Sequence, residues 1–200
     1  MSLKFANIPT VYNGTRFRSK LEARWAAMFD LIGWKWDYEP IELNGWIPDF
    51  HILNAKRRLL IEVKPTIEEP KDVEHKIESA VGLHQHKEWE EEAMPLAGNT
   101  IAVILGSSIF ESEYYDHQIG WIYDEFGFWS EAIFADPCDN SPHLRFGLTS
   151  VTGCFADQIR GCGGPCCEWD GNHHYRPACL EDVEPLWRKA GNRVQWKAPR

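Results

Sequence analysis

Two short apolar segments constrain this chain more than any other part of it: Gly45-Trp-Ile-Pro-Asp-Phe-His-Ile-Leu53 and Arg58-Leu-Leu-Ile-Glu-Val-Lys-Pro65. Each is bounded by turn residues and has the length of a strand. Period-2 geometry puts Glu62 and Lys64 on one face of the second strand and Val63 on the other, toward a core. If the segments pair as a hairpin across residues 54–57, Asp49 comes to lie near the face of Glu62. Two carboxylates and an ammonium group then converge at a sheet edge. An oxygen-rich, partly hydrated site of this kind suits Mg²⁺ (or Mn²⁺), the cations of phosphate chemistry.

Taken singly, each of these groups has a plainer use. Asp49 after Pro48 can cap a turn, and Glu62 with Lys64 can form a surface ion pair contributing well under ~1 kcal/mol. The combination, with Ile61 and Val63 marking a buried strand, is what favours a site.

Upstream, Thr10 to Gly14 reads as an extended piece ending in an Asn-Gly turn. A helix follows, from Thr15 or Ser19 to Ile32. Phe17, Leu21, Trp25, Met28, Phe29 and Ile32 make its apolar stripe and Gly33 its stop. Ser19-Lys-Leu-Glu22 is a capping-box pattern in which Glu22 reaches the Ser19 amide. Glu22 also flanks the stripe beside Arg18, so a structural and a metal-site role both stand open. Trp36 to Pro40 reads as an edge strand. Beyond Pro65, a helix is expected from about Lys71 to Glu92, and a buried central strand over Asn99 to Leu105. Residues 107–135 are rich in aromatics and acids, with a hairpin suggested at Trp121 to Trp129.

These residues carry a resemblance. Pro48-Asp49 with Glu62-Val63-Lys64, set in the order helix, strand, strand, strand, helix, strand, resembles the PD-(D/E)XK nuclease superfamily over roughly residues 10–106. Phe17-Arg-Ser-Lys-Leu-Glu-Ala-Arg-Trp-Ala26 is similar to the first-helix signature of a branch common in bacteriophages. The resemblance implies an α/β (α+β) chain with a restriction-endonuclease-like αβββαβ core and a mixed sheet. It also implies that Asp49, Glu62 and the Val63 carbonyl hold Mg²⁺, that Glu22 completes the carboxylate set, and that Lys64 helps activate the attacking water. Arg16, Arg18, Lys20 and Arg24 are the candidate DNA contacts, with a solvated helix face as the alternative.

All six cysteines lie beyond residue 137, and no other region has this density. Cys162-Gly-Gly-Pro-Cys-Cys167, then His173-His174 and Cys179, fits a structural zinc knuckle. Cys162, Cys166, Cys167 and Cys179 are the first ligand choices, with Cys138, Cys154 and His174 as alternates. Disulfides and plain free thiols are the competing readings. The chain thus divides into a nuclease core at 1–106 and a zinc-stapled, aromatic and cysteine-rich extension at 107–200, with the knuckle around 138–179.

The chain's 200 residues, 44% hydrophobic with ten Trp, suit a folded domain with a buried core. The net charge of −9 at first opposes a nucleic-acid partner. Its distribution changes that: residues 71–150 carry −11, while residues 1–70 and 151–200 carry +1 each. There is no apolar run near ~18 residues and no signal-peptide pattern, so an intracellular, cytoplasmic chain without a membrane partner is expected. The leading reading is a Mg²⁺-dependent deoxyribonuclease, acting on DNA that is branched, end-specific or otherwise. The alternatives are a non-catalytic nucleic-acid or assembly adaptor on a nuclease fold, and a ribonuclease or subunit of a larger nuclease complex. A homodimer suits double-strand cuts but has no legible signal.

Overall fold

The Asn13-Gly14 pair closes a hairpin of β1 (Thr10–Tyr12) and β2 (Thr15–Phe17). Both turn residues have positive φ, 46° and 82°, as a type I′ turn demands and as Asn and Gly tolerate. The structure, a computed structural model, describes residues 8–55, 58–66, 71–81, 100–112, 116–123, 129–136, 147–150, 153–157 and 176–195. Helix α1 (Lys20–Ile32) starts at the Ser19 N-cap and stops at Gly33, which is left-handed with φ 82°. Of the two starts expected, only Ser19 holds. Thr15 and Phe17 pair with Tyr12 and Thr10 across the hairpin instead.

The remaining elements are β3 (Trp36–Tyr38), β4 (Phe50–Ile52), β5 (Arg58–Val63), α2 (Lys71–Val81), β6 (Thr100–Phe110), β7 (Gln118–Tyr123), β8 (Trp129–Asp136), β9 (Gly147–Ser150), β10 (Gly153–Asp157), β11 (Arg176–Pro177) and α3 (Leu180–Arg193). The fold is α+β, with three helices among the described residues. Among the described residues, nine strands form one mixed sheet in the order β10-β9-β8-β7-β6-β5-β4-β3, with β11 beside β8. β5 and β6 run parallel and the other pairs antiparallel. The order α1-β3-β4-β5-α2-β6 is the one expected, and β3 is the edge strand foreseen.

The first motif segment is shorter as a strand than its apolar residues suggest. Asn44 and Gly45 have positive φ, 45° and 82°, and Leu43 and Trp46 exchange backbone hydrogen bonds of 2.7 and 2.8 Å around them. This tight turn takes the front of the segment. Pro48 lacks an N–H for the ladder, so pairing with β5 is confined to Phe50–Ile52.

Gly106 is a point of close approach inside β6 rather than a break. A Cβ there would sit 2.9 Å from both the Thr66 carbonyl oxygen and the Phe110 ring. The boundary expected at residue 106 therefore falls within a strand, and β7 to β10 continue the same sheet. Helix α2 is described to Val81, and its expected continuation to Glu92 lies outside the described residues.

Alternation along β5 and β6 splits the core in two. Leu59, Ile61, Val63, Ile101, Val103 and Leu105 pack with α1 and with Val183, Leu186, Trp187 and Ala190 of α3. Leu60, Ala102 and Ile104 pack with Val73, Ile77 and Val81 of α2 and with Trp46. Both faces being covered, the two strands read as continuous apolar runs. No helix among the described residues is long and apolar enough to cross a membrane.

Candidate active site

Three buried carboxylates meet at the end of β5. Glu22 is 7% exposed, Asp49 2% and Glu62 8%. They come from different parts of the chain: Glu22 from the first turn of α1, Asp49 from the residue before β4, and Glu62 from the last turn of the β5 ladder.

Glu22 is held by the capping geometry itself. Its N–H donates to Ser19 Oγ at 3.1 Å, and Ser19 Oγ donates to Glu22 Oε1 at 2.6 Å. The second carboxylate oxygen, Oε2, accepts from the Arg18 N–H at 3.2 Å and from the Tyr38 hydroxyl at 2.6 Å. The amide reached is thus that of Arg18, one residue before the Ser19 amide expected. Capping and membership of the cluster are not alternatives here, since one carboxylate does both. Burial, then the bond to Glu22, pushes the Tyr38 hydroxyl above its ordinary pKa. Tyr38 escaped the sequence reading because only its edge strand was legible, not its reach across to α1.

Asp49 Oδ2 accepts from the Val63 N–H at 2.7 Å, and Oδ1 accepts from Arg18 Nη2 at 2.6 Å. Val63 thus reaches Asp49 through its backbone N–H. Glu62 Oε2 accepts from the Trp46 indole at 2.9 Å, and Oε1 pairs with Lys64 Nζ at 2.8 Å. Glu62 and Lys64 share a face while Val63 is buried on the other, as the period of a strand dictates. Trp46 is 1% exposed, and its indole gives Glu62 a fixed orientation.

The electrostatics follow from this crowding. Burial, with the Glu62 and Glu22 carboxylates nearby, raises Asp49 from 3.8 to about 7, against the opposing Val63 N–H and Arg18. Burial works against the Arg18 charge, yet the Asp49 carboxylate outweighs it and holds the guanidinium above its ordinary value. Among the described residues, no three Asp, Glu, His or Cys groups form a ready-made cation cage, and each carboxylate is bonded to donors instead. The donor set nonetheless fits a hard divalent ion. It is all oxygen, and burial together with the neighbouring carboxylates disfavours the charge on Asp49, a cost that a bound cation would offset.

A pH dependence follows for the metal-free protein. The folded state holds the Asp49 proton more tightly than the unfolded chain, so this group's contribution to stability is complete below about pH 4. It is lost as pH rises through about 7. Urea unfolding in EDTA should show the wild type losing stability relative to Asp49→Asn across that range. A difference that stays flat with pH would contradict the assignment.

The other expected contacts separate. Arg16 and Lys20 are exposed, on β2 and at the start of α1. Arg24 instead lies over the Trp187 ring, 3.8 Å from its centroid, and donates from Nε and Nη2 to the Trp187 carbonyl at 3.2 and 3.0 Å. Its position on α1 faces α3, so it ties two helices together and leaves the set of candidate DNA contacts. Of the expected zinc ligands, Cys179 is a free thiol at the N-cap of α3. Cys154 lies on β10, with its side chain outside the described residues, and Cys138, Cys162, Cys166, Cys167 and His174 also lie outside them.

Compared with family models, with characterised proteins and with solved structures, the chain matches none.

Proposed function

We propose that the protein is a metal-dependent nuclease that hydrolyses phosphodiester bonds of DNA. The observation that carries this reading is the meeting of Glu22, Asp49, Glu62 and Lys64 from three separate elements at one end of the sheet. The order α1-β3-β4-β5-α2-β6 supports it, being the order the resemblance to PD-(D/E)XK nucleases implies.

Asp49 and Glu62 would hold a Mg²⁺ or Mn²⁺ ion, with Glu22 beside them. Such an ion, when bound, neutralises charge on the phosphate and eases deprotonation of the attacking water. The rest falls to the chain's own residues. Lys64, held at 2.8 Å by Glu62, orients the water and steadies the charge that grows on the phosphate oxygens. Trp46 and the Val63 N–H fix Glu62 and Asp49, while Ser19 and Tyr38 fix Glu22. Ligands oriented in advance by such outer partners cost less to organise when the ion and the substrate arrive.

The test is cleavage of plasmid and linear DNA by wild type and Asp49→Ala, with Mg²⁺, Mn²⁺ or EDTA. Cutting that needs the metal and disappears in the variant is the expected result. Nicking of plasmid as against shortening of linear ends then separates endonuclease from exonuclease. A wild type that cuts no linear, plasmid or branched DNA would overturn the proposal, and cutting confined to RNA would redirect it.

A further inference from the structure

Asp49 is held by two donors of unequal exposure, a buried backbone N–H and an arginine reaching in from the rim. Asp49 is 2% exposed, and one of its oxygens is fixed by the Val63 N–H. The other is bonded to Arg18, whose side chain is 58% exposed and reaches in from the rim. There its Nε pairs with Glu39 Oε1 at 2.9 Å, so the arginine has a second partner outside the cluster. A guanidinium and a divalent cation on that same oxygen would compete for its lone pairs and repel each other at such short range.

We propose that Arg18 is the resident counter-cation of the carboxylate cluster in the metal-free protein, displaced from Asp49 by the divalent ion and passed to a phosphate of the bound DNA strand. The proposal rests on the nuclease reading above. Arg18 is suited to both stations, because its planar fork satisfies a carboxylate or a phosphate and its charge is retained throughout. Glu39 keeps the side chain at the rim during the transfer. The phosphate contact of Arg18 is then made only in the metal-loaded protein, so that metal and DNA each strengthen binding of the other.

The experiment compares wild type, Arg18→Met and Asp49→Asn in Mn²⁺ titrations by calorimetry. It then compares binding of a short duplex over a range of salt, in EDTA and in Ca²⁺. Methionine keeps most of the stem of this half-exposed side chain, and circular dichroism confirms that the fold is kept. Removing the competitor should tighten Mn²⁺ binding by about 5- to 10-fold. The salt dependence of DNA binding should fall by about one phosphate contact in Ca²⁺, and should equal the wild type's in EDTA. Unchanged or weaker Mn²⁺ binding by Arg18→Met, or an equal loss of salt dependence in EDTA and Ca²⁺, overturns the exchange alone, provided that Asp49→Asn abolishes the site. A wild type with no Asp49-dependent Mn²⁺ site overturns the nuclease reading together with the exchange.

Discussion

Lys64→Met is expected to lower the rate of DNA cleavage by about 10²–10⁴-fold, the range over which a positioned proton-handling group acts. Lys64 lies just past β5, and its ammonium is 2.8 Å from Glu62 Oε1. Methionine preserves the reach of the side chain but carries no charge and no donor. On the proposed mechanism, the variant would lose the ammonium that orients the attacking water and steadies the phosphate. Asp49 is untouched by the change: its oxygens are bonded to the Val63 N–H and to Arg18. Mn²⁺ binding should therefore survive while turnover falls. Single-turnover cleavage beside a Mn²⁺ titration makes the distinction. A variant that loses metal binding along with cleavage would show that Lys64 organises the ligands rather than the chemistry.

Trp25→Ala should destabilise the fold by about 3–5 kcal/mol, the range for removing a large buried aromatic. Trp25 is fully buried, its ring centroid lies 4.4 Å from that of Trp187 on α3, and its indole donates to the Gly106 carbonyl at 2.9 Å. Alanine removes the packing between two helices and leaves a carbonyl inside β6 without this donor. Trp25→Phe keeps much of the ring and loses the hydrogen bond, for an expected cost of about 1–3 kcal/mol. The unfolding midpoint in urea measures both. A loss under about 1 kcal/mol for the alanine variant would mean that α1 and α3 do not pack through this residue, given the usual spread of single-site effects. Glu22 lies one turn before Trp25 on α1, so loosening the helix also loosens the cluster.

Sequence patterning made α1 legible down to its caps because the signals there are local. A Ser at the N-cap, a Glu three residues on, an apolar stripe and a Gly stop all act within a few residues. The same holds for the edge strand β3, for the buried run of β6 and for the shared face of Glu62 and Lys64. Local patterns misled where a long-range contact outweighed them. The strand expected to end at Leu105 runs on through Gly106 to Phe110, where the Thr66 carbonyl and the Phe110 ring leave no room for a Cβ at Gly106. Arg24 reads as part of a basic helix face, yet Trp187, 163 residues away, claims its guanidinium.

The candidate site divides along the same line. The amino-acid order by itself determined which groups are available: the acids Glu22, Asp49 and Glu62, the bases Arg18 and Lys64, and the strand period that sets Val63 apart from its neighbours. Tertiary structure alone decided how each is held. Tyr38 and Trp46 were invisible as partners because their hydrogen bonds to Glu22 and Glu62 cross from one element to another, 16 residues apart in each case. The guanidinium of Arg18 on Asp49, across 31 residues, could be read from no spacing. Backbone periodicity fixes the direction of a side chain over a few residues, whereas its partner depends on how helices and strands from distant parts of the chain close around one another.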